Sequence, residues 1–589
     1  MRLKISKCKN VNIFYVIKTV YIDGKEKTVT VERLGSQDEI LKKSNGEDPV
    51  LWAKKYIEKL NKEEKEKSKK IPILKSPSAL LEKDKQNLFN CGYFFLEKIY
   101  HQLQLDNICK DISTKHKFTY DFNNILSRLI YSRIIYPSSK LATYELSKKF
   151  VEQPNFDLQH IYRALVIIAK ENSFIQSELY KNSLKVCDRK TGILYYDCTN
   201  YFFEIEDEDE FRKYGPSKEH RPNPITQMGL FMDGNGIPLA FCMNAGNVNE
   251  QLTLTPLEEK IIKDFDLSKF VVCTDAGLAS NDNRIFNTKG ERAFITTQSI
   301  KKLKSHLKSW ALSPDGWHLT GSDKTFNINL IAKKLENISD EKQKQKIMNL
   351  TFYKERWIHE NNLEQRLIVT FSFKYQAYQK HIRDGQIERA KSAIESKNFK
   401  LDRRKQTDFK RFIKQTSITK DGEIANKKVL TINSDTISKE SQFDGFYGVC
   451  TNLEDPVEEI IKVNHRRWEI EESFRIMKSE FKARPVYLSR DDRITAHFTT
   501  CFLSLVILRF LEKMLDEKYT SSEIIDTLKN MNMQKNFDCS YEPIYTRTDL
   551  TDDLHEKFGF RTDYEILQES RLNKILKKTK KWFKYAFFN

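Results

Sequence analysis

Near the start of the chain, apolar residues alternate with polar ones: Val11, Ile13, Tyr15 and Ile17, then Val29 and Val31. A two-residue period puts one set of side chains on one face of a strand. The pair Asp23-Gly24 between the two runs is a turn signal. Residues 1–36 are therefore expected to form a small β-hairpin unit. Residues 37–84 read as a charged linker or helix, with Lys62-Glu63-Glu64-Lys65-Glu66-Lys67 inside it. From 85 to 188 the spacing becomes three and four, as in Ile125-Leu126-Ser127-Arg128-Leu129-Ile130-Tyr131-Ser132-Arg133-Ile134-Ile135. That period predicts an α-helical domain.

A different pattern begins at Gly192. Ile193-Leu194-Tyr195-Tyr196-Asp197 is a short β-prone run that ends in a carboxylate. Met228-Gly229-Leu230-Phe231-Met232 and Ile237-Pro238-Leu239-Ala240-Phe241-Cys242 flank Asp233-Gly234-Asn235-Gly236, a strong hairpin signal. Phe270-Val271-Val272-Cys273-Thr274-Asp275 is apolar up to its carboxylate, as in a strand buried on both faces. With a helix near 254–264 and another strand, Ala293-Phe294-Ile295-Thr296-Thr297, these runs predict a mixed sheet flanked by helices, an α/β core divided between 189–300 and 446–515. Residues 301–445 separate the halves. Their strand candidate Leu367-Ile368-Val369-Thr370-Phe371-Ser372-Phe373 and basic tracts such as Lys400-Leu401-Asp402-Arg403-Arg404-Lys405 mark a folded, β-containing insertion, since a loop of that length is improbable. The apolar stretch 494–515 is expected as a helix packed on the sheet, and 516–589 as a helical, basic end.

One segment of the second half concentrates charge: Asn464-His465-Arg466-Arg467-Trp468-Glu469-Ile470-Glu471-Glu472-Ser473-Phe474-Arg475-Ile476-Met477-Lys478. Drawn as one helix at about 100° per residue, Arg467, Glu471 and Lys478 fall near 0°, 40° and 20°. Ile470, Phe474, Met477 and Phe481 gather between roughly 280° and 340°. One carboxylate and two cations thus share a stripe at the rim of a buried face. Glu469, at about 200°, and Glu472, at about 140°, point elsewhere. An Arg–Glu pair four apart is by itself an ordinary helical ion pair, worth a few tenths of a kcal/mol. Trp468 is expected to pack in the core, although it and His465 are placed to touch a ligand. His497 reads as a hydrogen-bonded structural residue.

Composition narrows the partner. Lys and Arg number 100 against 82 Asp and Glu, a formal charge of +18, with a sequence pI of about 9.1. That balance suits a polyanion, nucleic acid first. The ten cysteines form no Cys-x-x-Cys pair and no Cys/His spacing fit for zinc. Cys198, Cys242 and Cys273 sit in apolar runs and read as reduced core residues. The N-terminus has no apolar signal core, and the longest uncharged apolar run, 498–508, is too short to span a bilayer. A cytoplasmic protein with no membrane partner is expected.

Asp197, Asp275 and Glu471 therefore stand at strand ends or a helix edge. Carboxylates just past strand ends converge at one edge of an α/β sheet, where such folds hold their ligands. Gathered together they repel, and a divalent cation relieves the repulsion. Oxygen donors suit Mg²⁺ or Mn²⁺. Two ions about 4 Å apart serve an in-line displacement at phosphorus, with Arg467 and Lys478 on the phosphates.

These segments together resemble the insertion-sequence DDE transposases with an RNase H-like catalytic core, in the group that carries a β-rich insertion before the catalytic Glu and a Tyr-x2-Arg-x3-Glu-x6-Lys signature. Arg467, Glu471 and Lys478 match its last three positions. Asn464 stands at the Tyr position; it lacks the ring, while its amide can still bond a phosphate. Leu194-Tyr195-Tyr196-Asp197-Cys198-Thr199 is similar to the family's first-Asp strand, and Val272-Cys273-Thr274-Asp275-Ala276-Gly277 to its second. Gly215-Pro216-Ser217-Lys218-Glu219-His220-Arg221-Pro222 and Asn244-Ala245-Gly246-Asn247-Val248-Asn249-Glu250 also resemble family segments. The resemblance implies Asp197, Asp275 and Glu471 as catalytic residues and ligands of two Mg²⁺ or Mn²⁺ ions, with Asn464, Arg467, Lys478 and Arg221 on DNA. It implies cleavage and strand transfer without a covalent protein–DNA intermediate. The partners it implies are double-stranded DNA, as terminal inverted repeats and as target, and a second copy of the chain in a homodimer. The helical domain at 85–188 is the candidate for end recognition. Two other readings stay open: a transposon-derived DNA-binding protein that no longer cuts, and a metal-dependent nuclease unrelated to mobile elements.

Overall fold

A computed structural model describes all residues except 9–10, 23–24, 45, 68–76, 79, 81, 397–407, 419–423, 538 and 583–589. The expected turn at Asp23-Gly24 and the basic tract at 400–405 lie outside the described residues. The chain forms two compact units, Met1–Lys85 and Gln86–Asn589.

The first unit is an antiparallel sheet of β1 (Arg2–Cys8), β2 (Val11–Ile22) and β3 (Lys25–Ser36), followed by α1 (Gln37–Lys43) and α2 (Pro49–Lys67). It has one strand more than a hairpin. Arg2–Cys8 pairs along β2 from Arg2↔Ile17 to Cys8↔Val11, although only Leu3 and Ile5 give it apolar character. Phe14, Val16, Leu34, Ile40, Ala53 and Ile57 make a small core. Ser36 and Glu39 close a capping box that starts α1.

The second unit opens with β4 (Leu88–Asn90) and the helices α3 (Tyr93–Gln102), α4 (Leu105–His116), α5 (Phe122–Ile135), α6 (Lys140–Ser147), α7 (Leu158–Lys170) and α8 (Asn172–Ser183). Next come β5 (Ile193–Phe202), β6 (Ile225–Asp233), β7 (Pro238–Ala245), α9 (Leu254–Asp264), β8 (Val271–Thr274), α10 (Asn281–Phe286) and β9 (Ala293–Gln298). The inserted stretch carries α11 (Ser305–Leu312), β10 (Trp317–Leu319), β11 (Ser322–Phe326), α12 (Ile328–Glu336), α13 (Glu341–Met348), β12 (Phe352–Glu360), β13 (Leu363–Phe371), α14 (Phe373–Glu395), β14 (Ile413–Ile418), β15 (Ile424–Ile432) and α15 (Ser434–Ser441). The chain then returns through β16 (Phe446–Thr451), α16 (Val457–His465), α17 (Trp468–Ser479) and α18 (Asp491–Met514). It closes with α19 (Ser521–Asn530), β17 (Asn532–Lys535), β18 (Tyr541–Pro543), α20 (Asp549–Phe558) and α21 (Glu569–Thr579).

One ten-stranded mixed sheet runs β11-β10-β12-β13-β16-β9-β8-β5-β6-β7. Only β5–β8 and β8–β9 pair in parallel. The inserted strands extend this sheet, because β13 pairs with β16 and β16 with β9. Leu194, Tyr196, Phe231 and Val272 meet α9 on one face. On the other, α18 lies among α3, α5, α7, α8 and β7. By length and composition α18 is apolar enough to cross a membrane, yet nearly all of it is buried inside the fold. Its Thr500 and Ser504 hydroxyls satisfy themselves on carbonyls one turn back, at 2.9 and 2.8 Å.

Candidate active site

The parallel register between two strands builds the site. Ile193, Leu194 and Tyr195 of β5 pair with Val271, Val272 and Cys273 of β8. Extended by two residues, that register brings Asp197 level with Asp275, the residue after the end of β8. Neighbouring strands lie about 4.8 Å apart. Side chains alternate along β5, so Asp197 shares the face of Tyr195, and Asp275 acts on its carboxyl. Helix α16 covers this face: the Tyr195 hydroxyl donates to Val463 O at 3.0 Å, and the Cys273 thiol lies 3.8 Å from Asn464 Oδ1. Asp197 is not at a strand end, as its sequence context suggested. β5 continues to Phe202 because β6 keeps pairing with it, from Leu194↔Asp233 through Asp197↔Leu230 to Phe202↔Ile225.

Charge around the pair is unbalanced. Burial, with Asp275 adding to it, pushes the Asp197 carboxyl up to about 6, against the pull of Lys218, the Cys198 N–H and Arg467. Oδ1 of Asp275 accepts from Gly277 N at 2.9 Å and Leu278 N at 3.0 Å; its Oδ2 has no hydrogen-bond partner among the described residues. Lys218 Nζ donates to Cys198 O and pairs with Glu250 at 3.2 Å. Burial lowers its affinity for a proton, but Asp197 and Glu250 outweigh that and leave it raised.

Lys218 is delivered by two loops that meet glycine to glycine. A Cβ on Gly215 would overlap the Gly246 carbonyl, and one on Gly246 the Ile225 carbonyl. These are the 215–222 and 244–250 segments singled out in the sequence, although Lys218, Glu219 and Glu250 were not among the site candidates there. Neither was Arg484, which pairs with Glu219. Glu219 also holds Lys478, at 3.5 Å. Arg221 is exposed in the same loop, its guanidinium 4.2 Å from the centre of the Phe202 ring and 3.9 Å from Glu219.

The segment read as one helix from Asn464 is broken. α16 ends at His465 and α17 begins at Trp468, with three-residue bonds from Arg467 N to Asn464 O (3.3 Å) and from Ile470 N to Arg467 O (3.2 Å) across the break. Asn464 consequently falls on the inner side of α16, 6% exposed. Its amide donates to the Tyr447 hydroxyl at 3.0 Å. For the role expected of Asn464 on a DNA phosphate, this inward-turned amide would have to leave Tyr447. Trp468, expected in the core, is 59% exposed; near 100° on the wheel, it lies opposite the buried arc. Ile470, Phe474, Met477 and Phe481 are buried, as their spacing requires. His497 is buried with Nε2 at 3.2 Å from Ala483 O, the structural role expected of it.

Arg467 and Lys478 both act on Asp197. Arg467 Nε is buried without a hydrogen-bond partner. Burial and the nearby Lys218 hold Lys478 down to about 8, with Asp197 opposing. Glu471 sits between these two cations along α17 and is exposed. Glu469 pairs with Arg466 at 2.9 Å, and Glu472 with Arg475 at 3.3 Å and Arg509 at 3.4 Å. Glu471 alone of the three has no ion-pair or hydrogen-bond partner among the described residues. The trio Asp197, Asp275 and Glu471 is not drawn within 4.8 Å. Among the described residues the group that meets that spacing is Asp552, His555 and Asp563. The donor set is nonetheless oxygen only, with one carboxylate oxygen of Asp275 unpartnered and Asp197 destabilised as an anion, which suits a hard divalent cation.

A family model described as a transposase DDE domain matches residues 183–507, a span that takes in all three carboxylates. No curated protein matches the chain. Among solved structures, the cryo-EM synaptic complex of piggyBac transposase with hairpin DNA aligns over 83% of this chain and 84% of that one, at 9% identity and a TM-score of 0.33. A likeness so slight carries no inference about this chain.

Proposed function

This chain belongs to the transposases with a DDE domain, and we propose that it cuts and joins DNA at the Asp197–Asp275 pair, with Glu471 as the third carboxylate. One observation supports the reading: the parallel pairing of β5 with β8, extended by two residues, brings Asp197 level with Asp275, and Asp275, Lys218, Arg467 and Lys478 all act electrostatically with Asp197. The strand order β7-β6-β5-β8-β9, three strands antiparallel and two added in parallel, supports an RNase H-like core.

Asp197 and Asp275 would hold Mg²⁺ or Mn²⁺, two ions when Glu471 joins them. Such ions polarise the phosphoryl group and make water or a 3′-hydroxyl a better nucleophile. Binding releases the proton that the raised Asp197 carboxyl retains below about pH 6. Arg467, whose buried Nε lacks a partner, and Lys478, whose charge is disfavoured by burial, gain from a phosphate alongside. Exposed Arg221 and Trp468 stand at the solvent side, where a duplex approaches. The helical segment 85–188 as the reader of inverted repeats, and a homodimer as the assembled form, belong to the same proposal.

The test is a duplex carrying the repeats that flank the gene, incubated with protein and Mg²⁺. Parent nicks it; Asp197→Asn, Asp275→Asn and Glu471→Gln bind it and do not. If all three variants cut like the parent, the assignment is wrong. A second reading, a DNA-binding descendant that no longer cuts, rests on Asn464 standing at the signature Tyr position. In that case the parent binds the ends and never nicks them.

A further inference from the structure

A cavity of about 320 Å³ opens between the N-terminus of α6, Tyr162 of α7, and the loop at 482–488. Arg133, Lys140, Lys482 and Arg484 line it, and no Asp or Glu does. Arg133 and Lys140 are 4% and 5% exposed. The terminal nitrogens of Arg133 donate to Phe481 O at 3.0 Å and Ser138 O at 3.2 Å, leaving its buried Nε without a partner. The Lys140 ammonium has neither a hydrogen-bond nor an ion-pair partner among the described residues. Burial, then Arg133, holds its pKa down to about 7. Lys140 is also the first residue of α6, which Ser139 caps by accepting from Ala142 N at 3.2 Å. The positive end of that helix therefore adds to the same field. His497, buried at the cavity wall, has its pKa depressed well below the ordinary value by burial and the two cations, and adds no charge. Buried cations without counter-charge are costly, and a bound anion removes the cost.

The cavity connects to the candidate active site through one carboxylate. Glu219 holds Arg484 at the cavity and Lys478 beside Asp197. We propose that this cavity is a phosphate subsite, filled by a backbone phosphate of the DNA strand that runs past the Asp197–Asp275 pair. The assignment of a polynucleotide occupant rests on the function proposed above. The chemistry of the cavity, a preformed seat for a phosphoryl oxyanion, does not.

The experiment compares the full-length parent, Lys140→Met and Lys140→Arg. Inorganic phosphate should raise the melting temperature of the parent beyond potassium chloride of equal ionic strength, saturably. It should leave Lys140→Met unmoved, and Lys140→Arg should recover the response. A 30-base-pair duplex should bind Lys140→Met with a salt slope shallower by about 1, the loss of one phosphate contact. Phosphate should compete with the duplex on the parent. Lys482→Asn, at an exposed position whose φ of +46° asparagine tolerates, should weaken both responses in the same direction if Lys140→Met fails to fold. No phosphate response in the parent overturns the subsite. A phosphate response without competition, and with an unchanged salt slope in Lys140→Met, overturns the DNA occupant in favour of a free-phosphate site. Normal nicking by Asp197→Asn would sink the active-site reading while leaving the phosphate response intact, so the two failures are distinct.

Discussion

Two acidic groups in the second unit differ in how far their charge is answered, and the one with the tighter spacing is the better compensated. Asp552, His555 and Asp563 bring ligand atoms within 4.8 Å of one another. Yet Arg561 donates to both carboxylates, at 2.6 Å for Asp563, and Arg547 donates to Asp552 at 2.8 and 3.1 Å. Those guanidinium bonds hold Asp552 and Asp563 below the usual carboxylate range. His555 Nε2 lies 3.0 Å from the Thr562 hydroxyl. The charges there are already answered. At Asp197 the carboxyl is pushed the other way, by burial and by Asp275, and the cations nearby do not cancel it. On the function proposed for Asp197 and Asp275, unanswered charge marks a metal site more than the shortest distances do.

The strongest way to break this contrast is to remove one carboxylate from each group. Asp275→Asn should lower Mg²⁺-dependent nicking on the order of 10³-fold or more. Asp552→Asn should leave nicking unchanged. In thermal melts, Mn²⁺ should stabilise the parent and Asp552→Asn alike, and stabilise Asp275→Asn much less. Metal stabilisation that vanishes in Asp552→Asn and survives in Asp275→Asn would reverse the assignment.

The next effect sits in the loops that deliver Lys218, the strongest counter-charge at Asp197. Gly246 packs so closely on the Ile225 carbonyl that any Cβ forces the loop outward. Gly246→Ala should cost about 3 kcal/mol of stability in denaturant melts. Asn235→Ala, in the β6–β7 turn, should cost less than a third of that. Equal losses would mean that the glycine contact does not position Lys218.

How much of this was legible in the sequence differs from residue to residue. Asp275 was readable because an unbroken apolar run leads to it and the strand stops there. Asp197 was found as a residue, but its place in mid-strand was not, since only the pairing with β6 carries β5 on to Phe202. The buried arc of α17 followed from its spacing. The break at Arg466–Arg467 did not, because nothing in the composition of a charged turn distinguishes it from helix, and the fate of Asn464 and Trp468 depended on it. Lys218, Glu219 and Arg484 were invisible for a different reason. Their roles come from contacts between distant segments, and a lone charge in a loop carries no periodic signal. The extension of the sheet by the insertion was hidden likewise, since strand partners are chosen in three dimensions.

A smaller effect tests the answered group directly. Arg561→Met leaves Asp563, which is 8% exposed at its side chain, facing Asp552 with Arg547 as the remaining cation. The melting temperature should fall by about 1–2 °C, the scale of an ion network near the surface. Mn²⁺ should restore part of that loss, because removing the guanidinium turns the group into the kind of unanswered site that Asp197 and Asp275 form. No gain of metal response in Arg561→Met would mean that spacing and charge together still do not make a host.

The smallest effect separates the two regions by sign. Asp197 is raised from 3.8 to about 6 in the folded chain. Between those values the unfolded chain has released a proton that the folded chain keeps, so stability without metal falls as pH rises across the window and is level above it. Asp552 and Asp563 are lowered, so their contribution is present above 3.8 and is lost as pH falls below it. Urea melts in EDTA should therefore show a shallower decline from pH 4 to 6 in Asp197→Asn than in the parent, while Asp552→Asn changes only the acid limb. Other buried acids, Glu97 and Glu258, each raised to about 7, contribute declines of the same sign, which is why the comparison is between variant and parent at each pH. Saturating Mg²⁺ should then reverse the sign of the Asp197 contribution below pH 6, read as the difference between parent and Asp197→Asn, because the cation binds only the deprotonated carboxylate. An Asp197→Asn curve that overlays the parent across this window would mean that Asp197 is not the crowded carboxylate, and the contrast with Asp552 would lose its basis.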